Sequence, residues 1–209
     1  RYVSPQHAIA MELFKEVCQP EVDFEKVERI VARDVALSYK LLRFVNTMSN
    51  RIEVPISSFR QALVYLGQDK LKIFVSLAVA SFVSANKPKE IYTLCLQRAQ
   101  FFLLMANDNP FNQFREQAFL IGLLSLLDSM LDMSLKDLVE QLPLAAAIKV
   151  ALLERQGPFG DLLRLEECYE SADWQGMEAA CDQLNLSLNE VMPRISQAQR
   201  WSQDLNTIV

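Results

Sequence analysis

The chain holds one histidine, His7, and four cysteines, Cys18, Cys95, Cys168 and Cys181. Those counts bound its chemistry first. Serine and cysteine hydrolases recruit an imidazole as base, and His7 falls in the first turn of a terminal helix, where it reads as a surface residue. A histidine-rich metal site is excluded by count. The cysteines lack CxxC spacing, so they read as reduced and mostly buried thiols. Asp128 and Asp132 stand four residues apart on an apolar helical stretch, beside Ser125 and Ser129. That spacing places two carboxylates on one face, where they could hold a hard cation or act as acid and base. Two carboxylates alone make a weak site, and a polar helix end emerging into water is the plainer reading. Glu166, Glu167 and Glu170 form a like-charge run expected to be solvated. Lys40, Arg43, Arg51, Arg60, Lys70 and Lys72 make the first half basic and could gather around an anion. Scattered solvent charge is the plainer reading there too. Gly157-x-x-Gly160 is too sparse to cradle a phosphate. Trp174 and Trp201 read as hydrophobic anchors of the last helices.

These residues must be positioned by helices. Of 209 residues, 51% are hydrophobic and only 5 are Gly, which suits helices joined by short loops around a sizeable core. The stretch Ala118–Leu131, AFLIGLLSLLDSML, is apolar on most of its circumference, with Leu120, Leu123, Leu124 and Leu127 at helix spacing. It is too short and too interrupted to span a bilayer, and it predicts a buried helix. Residues 69–85 predict a second such helix, packed centrally beside the first. Ser4-Pro5 starts a helix to Val17, Asp23 caps one from Phe24, and Val35–Met48 forms a third. Ser58-x-x-Gln61 and Ser187-x-x-Glu190 have capping-box spacing, and Ser134 caps a short helix ending near Leu142. Pro55 sits in a loop over residues 50–57. No alternating strand or internal repeat is present. The expected fold class is all-α, a compact array of about eleven or twelve helices.

The net charge of −5 argues against nucleic acid or an anionic membrane as a bulk partner. Residues 1–105 are net +4 and residues 106–209 net −9, a polarity that fits solvated faces or a docking surface. No signal peptide or membrane span is visible, and the expected location is the cytoplasm. A start at Arg1 without a Met suggests a piece of a longer protein.

Residues 34–67 carry a resemblance. Its elements are Asp34, Leu37, Leu41-Leu42-Arg43, Val45-Asn46, Pro55-Ile56-Ser57, Ala62-Leu63 and Leu66-Gly67. The spacing resembles the signature of the HDOD domain, the HD-related output domain of bacterial signalling proteins. Residues 92–106, 118–128 and Leu142-Pro143-Leu144 resemble a subgroup that carries this domain behind an EAL domain, the cyclic-di-GMP phosphodiesterase type. The resemblance implies an array related to the HD-domain fold. It also implies that the metal ligands of the related HD phosphohydrolases are missing, as in the HDOD family: Gly122-Leu123-Leu124 is followed by Ser125 and Leu126, degenerate positions that cannot replace an imidazole and a carboxylate.

The expected organisation is therefore one HDOD-like domain over residues 1–209, with residues 157–209 as a possible C-terminal helical annex. The expected function is a non-catalytic regulatory module acting through protein–protein contacts, and not an enzyme. A nucleotide or small-ligand sensor built on a degenerate HD-type cleft is the alternative, and a metal-dependent phosphohydrolase the least favoured reading. No catalytic, cofactor-binding or metal residue is expected, and no cofactor. Arg43 and Asn46 are the candidate ligand or partner contacts. Asn46 can also satisfy backbone groups at its helix end. The expected partners are other proteins or a neighbouring EAL-type domain, with a homodimer possible and neither membrane nor nucleic acid.

Overall fold

The computed structural model describes residues 5–48, 56–107 and 111–206, and nothing in them is a β-strand. The described residues form thirteen α-helices and one 3₁₀ helix, in an all-α fold. Two compact units divide the chain, one running to Tyr92 and the other from Thr93 onward. The Ser4 cap, Arg51, Pro55 and Asp108–Pro110 fall outside the described residues.

The first unit contains α1 (Pro5–Val17), α2 (Phe24–Val31), α3 (Val35–Met48), α4 (Phe59–Leu66), α5 (Gln68–Val83) and the start of α6 (Lys89–Met105). Local sequence sets their ends. The Asp23 carboxylate accepts the Lys26 amide at 3.0 Å and so caps α2. Buried Glu16 joins α1 to α2, accepting the Asp23 amide at 3.2 Å and pairing with the Lys26 ammonium at 2.6 Å. Ser58 caps α4 by accepting the Gln61 amide, while the Gln61 side chain accepts the Ser57 amide at 2.9 Å. Gly67 ends α4 at φ +76, a conformation only glycine adopts without strain. It passes straight into α5, which is apolar nearly all round because α1, α3 and α4 all pack on it. Leu71, Leu77, Val79 and Ala80 of α5 are fully enclosed.

The second unit continues with a 3₁₀ helix at Phe111–Phe114, then α7 (Arg115–Leu124), α8 (Leu127–Leu131), α9 (Leu135–Gln141), α10 (Ala146–Glu154), α11 (Gly157–Glu170), α12 (Trp174–Gln183) and α13 (Leu188–Asn206). Ser134, Asp173 and the Ser187–Glu190 pair cap α9, α12 and α13. Its aromatic centre joins Phe102, Phe111 and Phe159, with Phe159 stacked on Phe102 at 5.9 Å and tilted on Phe111 at 5.6 Å. Trp201 meets Phe119 edge-on and so anchors the last helix. Trp174 instead is largely exposed, touching Tyr169 at one edge.

The central apolar stretch departs from expectation. It is two helices, α7 and α8, broken at Ser125-Leu126. The Ser125 hydroxyl donates to the Gly122 carbonyl at 2.7 Å, and Asp132 closes α8 in the left-handed region. This break adds one short helix to the all-α array. The two strongly apolar stretches also fall in different units. Gly122 is required where α7 crosses α6: a Cβ there would meet the Arg98 carbonyl oxygen at 2.5 Å, a backbone atom that cannot step aside. Gly122→Ala is therefore expected to destabilise the fold by about 1–3 kcal/mol, read as a lowered urea midpoint; an unchanged midpoint would show that the crossing yields.

Candidate functional site

The two candidate contact residues lie on α3 and differ in kind. Asn46 is engaged with backbone on both sides. Its amide nitrogen donates to the Leu42 carbonyl and to the Ile56 carbonyl, each at 2.8 Å, and its oxygen accepts the Ile56 amide at 2.7 Å. One side chain thus closes the end of α3 and fixes Ile56, which is buried, as the chain enters α4. Arg43 is exposed on the outward stripe of α3 with Val35 and Tyr39, at spacings of four residues. Asp34 caps this helix by accepting the Leu37 amide at 3.0 Å.

The carboxylate pair of the sequence is not assembled. Asp128 is on α8 and accepts its neighbour Ser129's amide. Asp132 lies past the helix end at φ +53, which breaks the shared face that a continuous helix would give. Among the described residues, no group of three or more His, Cys, Asp or Glu could hold a metal ion. His7 is half-buried in the first turn of α1. Burial pushes the thiols of Cys18 and Cys95 up to about 12, which keeps them protonated and unreactive.

The degenerate positions do hold something. Ser125 is buried, and its hydroxyl accepts a hydrogen bond from Arg98 Nη1 at 3.0 Å. Leu126 sits at the start of α8 with no side-chain cap. The same guanidinium grips Glu170 with two parallel bonds, Nε at 2.7 Å and Nη2 at 2.6 Å. Glu166, one turn earlier on α11, is only 4% exposed, as is Arg98. The glutamate run is therefore not solvated as a whole. Of the three, only Glu166 is buried; Glu170 is an exposed residue whose carboxylate turns to Arg98, and half-buried Glu167 pairs with Arg155 at 2.8 Å. A period of 3.6 explains this: positions 166 and 170 share a face and 167 does not. The sequence reading missed Arg98. Its signal was a lone cation in the apolar helix 92–106, for which an i, i+4 glutamate pair could supply the partner.

One buried guanidinium neutralises one carboxylate, and Glu170 takes it. Burial, with the Glu170 charge beside it, pushes the Glu166 carboxyl up to about 8, although Arg98 pulls the other way. Glu166 is thus mostly protonated at neutral pH, and the enclosed group as a whole is close to neutral.

With this geometry established, comparison with known proteins places the chain. Residues 3–152 match the HDOD domain family. The chain belongs to the HDOD family. It is 66% identical over all 209 residues to the cyclic di-GMP phosphodiesterase CdgJ of Vibrio cholerae, of which it covers 48%. It is 28% identical over 199 residues, 93% of its length, to the uncharacterized protein YuxH of Bacillus subtilis, covering 47% of that protein. The chain thus spans about half the length of the curated relatives it matches. No solved structure matches it. The Vibrio relative overturns the expectation of a non-catalytic regulatory module that is not an enzyme, because a protein this similar across the whole chain is named a phosphodiesterase. The missing His-Asp pair at Ser125-Leu126 describes only this chain, which covers 48% of that relative.

Two outcomes follow from this geometry. A raised carboxyl pKa stabilises the fold fully below the unfolded value, near 4.5, and that stability is lost as pH rises to about 8. Glu166→Gln cannot ionise, so wild type should lose on the order of 4 kcal/mol relative to it between pH 5 and 8; parallel urea-unfolding profiles would contradict the assignment. Asn46→Ala should cost about 2 kcal/mol by releasing both Ile56 backbone groups, with faster amide exchange at Ile56 as the local readout.

Proposed function

We propose that this chain is part of a cyclic di-GMP phosphodiesterase and so belongs to bacterial cyclic-di-GMP signalling. The observation that carries the reading is the 66% identity to the Vibrio enzyme over every residue of the chain. The reaction is addition of water across one phosphodiester of the cyclic dinucleotide, which opens the ring to a linear dinucleotide. A nucleotide substrate and four free cysteines support a cytoplasmic location. Among the described residues no helix is long and apolar enough to cross a membrane.

The partners we propose are a neighbouring EAL-type domain of the same protein, other proteins, or a second copy. Val35 and Tyr39 on α3, with Val64 and Tyr65 on α4, are all more than half exposed. They support this reading because exposed large apolar side chains are the material of protein contacts. Arg43 stands on the same outward stripe of α3 and is proposed as a contact residue, with Asn46 holding the helix end behind it.

The test is hydrolysis. The full-length protein containing this chain is expected to convert cyclic di-GMP to the linear dinucleotide in the presence of a divalent cation, followed by chromatography. Deleting residues 1–209 from it is expected to change kcat/KM at least threefold. A full-length protein without turnover would overturn the phosphodiesterase reading, and an unchanged kcat/KM would remove this part from the activity.

A further inference from the structure

The helix α12 carries no cation, and its charged residues are Glu178 and Asp182. Both are exposed, and among the described residues neither pairs with a cation. Trp174 precedes them at spacings of four residues, so the three mark one stripe of the helix. Its indole is 57% exposed, yet it is held in place. Tyr169 of α11 meets it edge-on at 6.1 Å, and the Tyr169 hydroxyl accepts the side-chain amide of Gln199 on α13 at 3.1 Å. The negative charge of the stripe is felt across the helix: burial first, then Asp182 and Glu178, push the Cys181 thiol above its usual range.

A fixed, solvent-facing tryptophan beside two carboxylates is the material of a protein contact. Tryptophan is enriched among the side chains that carry binding energy at such contacts, and carboxylates around it select a surface that brings cations. The helix α4 of the same sequence brings that combination. It carries no carboxylate, and its one charged residue, Arg60, is exposed. Val64 lies one turn beyond Arg60 on the outward side, next to Tyr65, and both are more than half exposed. The inward side is already used, since Phe59 and Ala62 are buried. The two helix faces are thus alike in their apolar side chains and opposite in charge. Each is exposed in a single chain, so a second copy is the occupant that covers both: α12 of one copy meets α4 of the other, and a two-fold pair makes the same contact twice.

We propose that this chain self-associates through α12 and α4, with Trp174 of one copy set against Val64 and Tyr65 of another, and Glu178 and Asp182 facing Arg60. The inference deepens the partner reading above by selecting the second copy, and it does not depend on the phosphodiesterase reading.

The experiment is analytical ultracentrifugation of the full-length protein containing this chain, over a series of concentrations. The mass is expected to rise above that of the monomer with concentration, and the association to weaken as salt rises. Arg60→Glu and Glu178→Arg each set like charges against one another, and each should weaken association roughly tenfold. Trp174→Ala should weaken it by a similar factor or more. An equimolar mixture of the Arg60→Glu and Glu178→Arg proteins should associate as wild type does, because each brings the charge that the other lacks at both contacts. Misfolded variants could not give that rescue. A wild type that stays monomeric overturns the proposal, as does an association that neither charge variant weakens. Weakening without rescue in the mixture also overturns it, and would leave the two faces to a different occupant in the rest of the protein. Cyclic di-GMP turnover by a monomeric protein would sink this inference alone, and rescued association without turnover would sink only the phosphodiesterase reading.

Discussion

The guanidinium of Arg98 is enclosed in the second unit, and a charge so placed must be met by partners or it destabilises whatever encloses it. Glu170 meets it with two bonds and Ser125 with a third. The group therefore fixes three elements at once: α6, which carries the arginine, the break between α7 and α8, and the last turns of α11. Glu166 completes the enclosure by staying protonated, because a second ionised carboxylate there would have no counter-charge. Removing Glu170 would leave the buried Arg98 without its carboxylate, which costs more than the bonds themselves contribute.

The break at Ser125 follows from the same constraint. A continuous helix through residues 118–131 would satisfy local propensity, but Ser125 turns its hydroxyl to Gly122 and accepts Arg98. Gly122 lets the two backbones approach closely enough for that reach. The position at which the resemblance to HD enzymes would put a metal ligand is thus occupied by a hydroxyl bound to an organic cation.

The first unit is governed differently. Its core is α5, surrounded by α1, α3 and α4, and the Asn46 side chain substitutes for secondary structure at the exit of α3. Both signature residues of α3 are exposed, and Asn46 ties the helix end to the backbone of Ile56.

Local interactions were legible from the sequence. Asp23, Ser58, Ser134 and the Ser187–Glu190 pair cap helices where their spacing said they would, since a cap reaches only three residues along the chain. Helix periodicity gave the all-α class, and the elements from Asp34 to Gly67 gave the family. What the tertiary structure alone decided involves residues far apart in sequence. Arg98 finds Glu170 across 72 positions and Lys40 finds Ser81 across 41, distances over which no local pattern carries information. The same holds for the glutamate run: the acids look alike in sequence, but helix rotation buries Glu166, turns the Glu170 carboxylate to Arg98 and points Glu167 to Arg155.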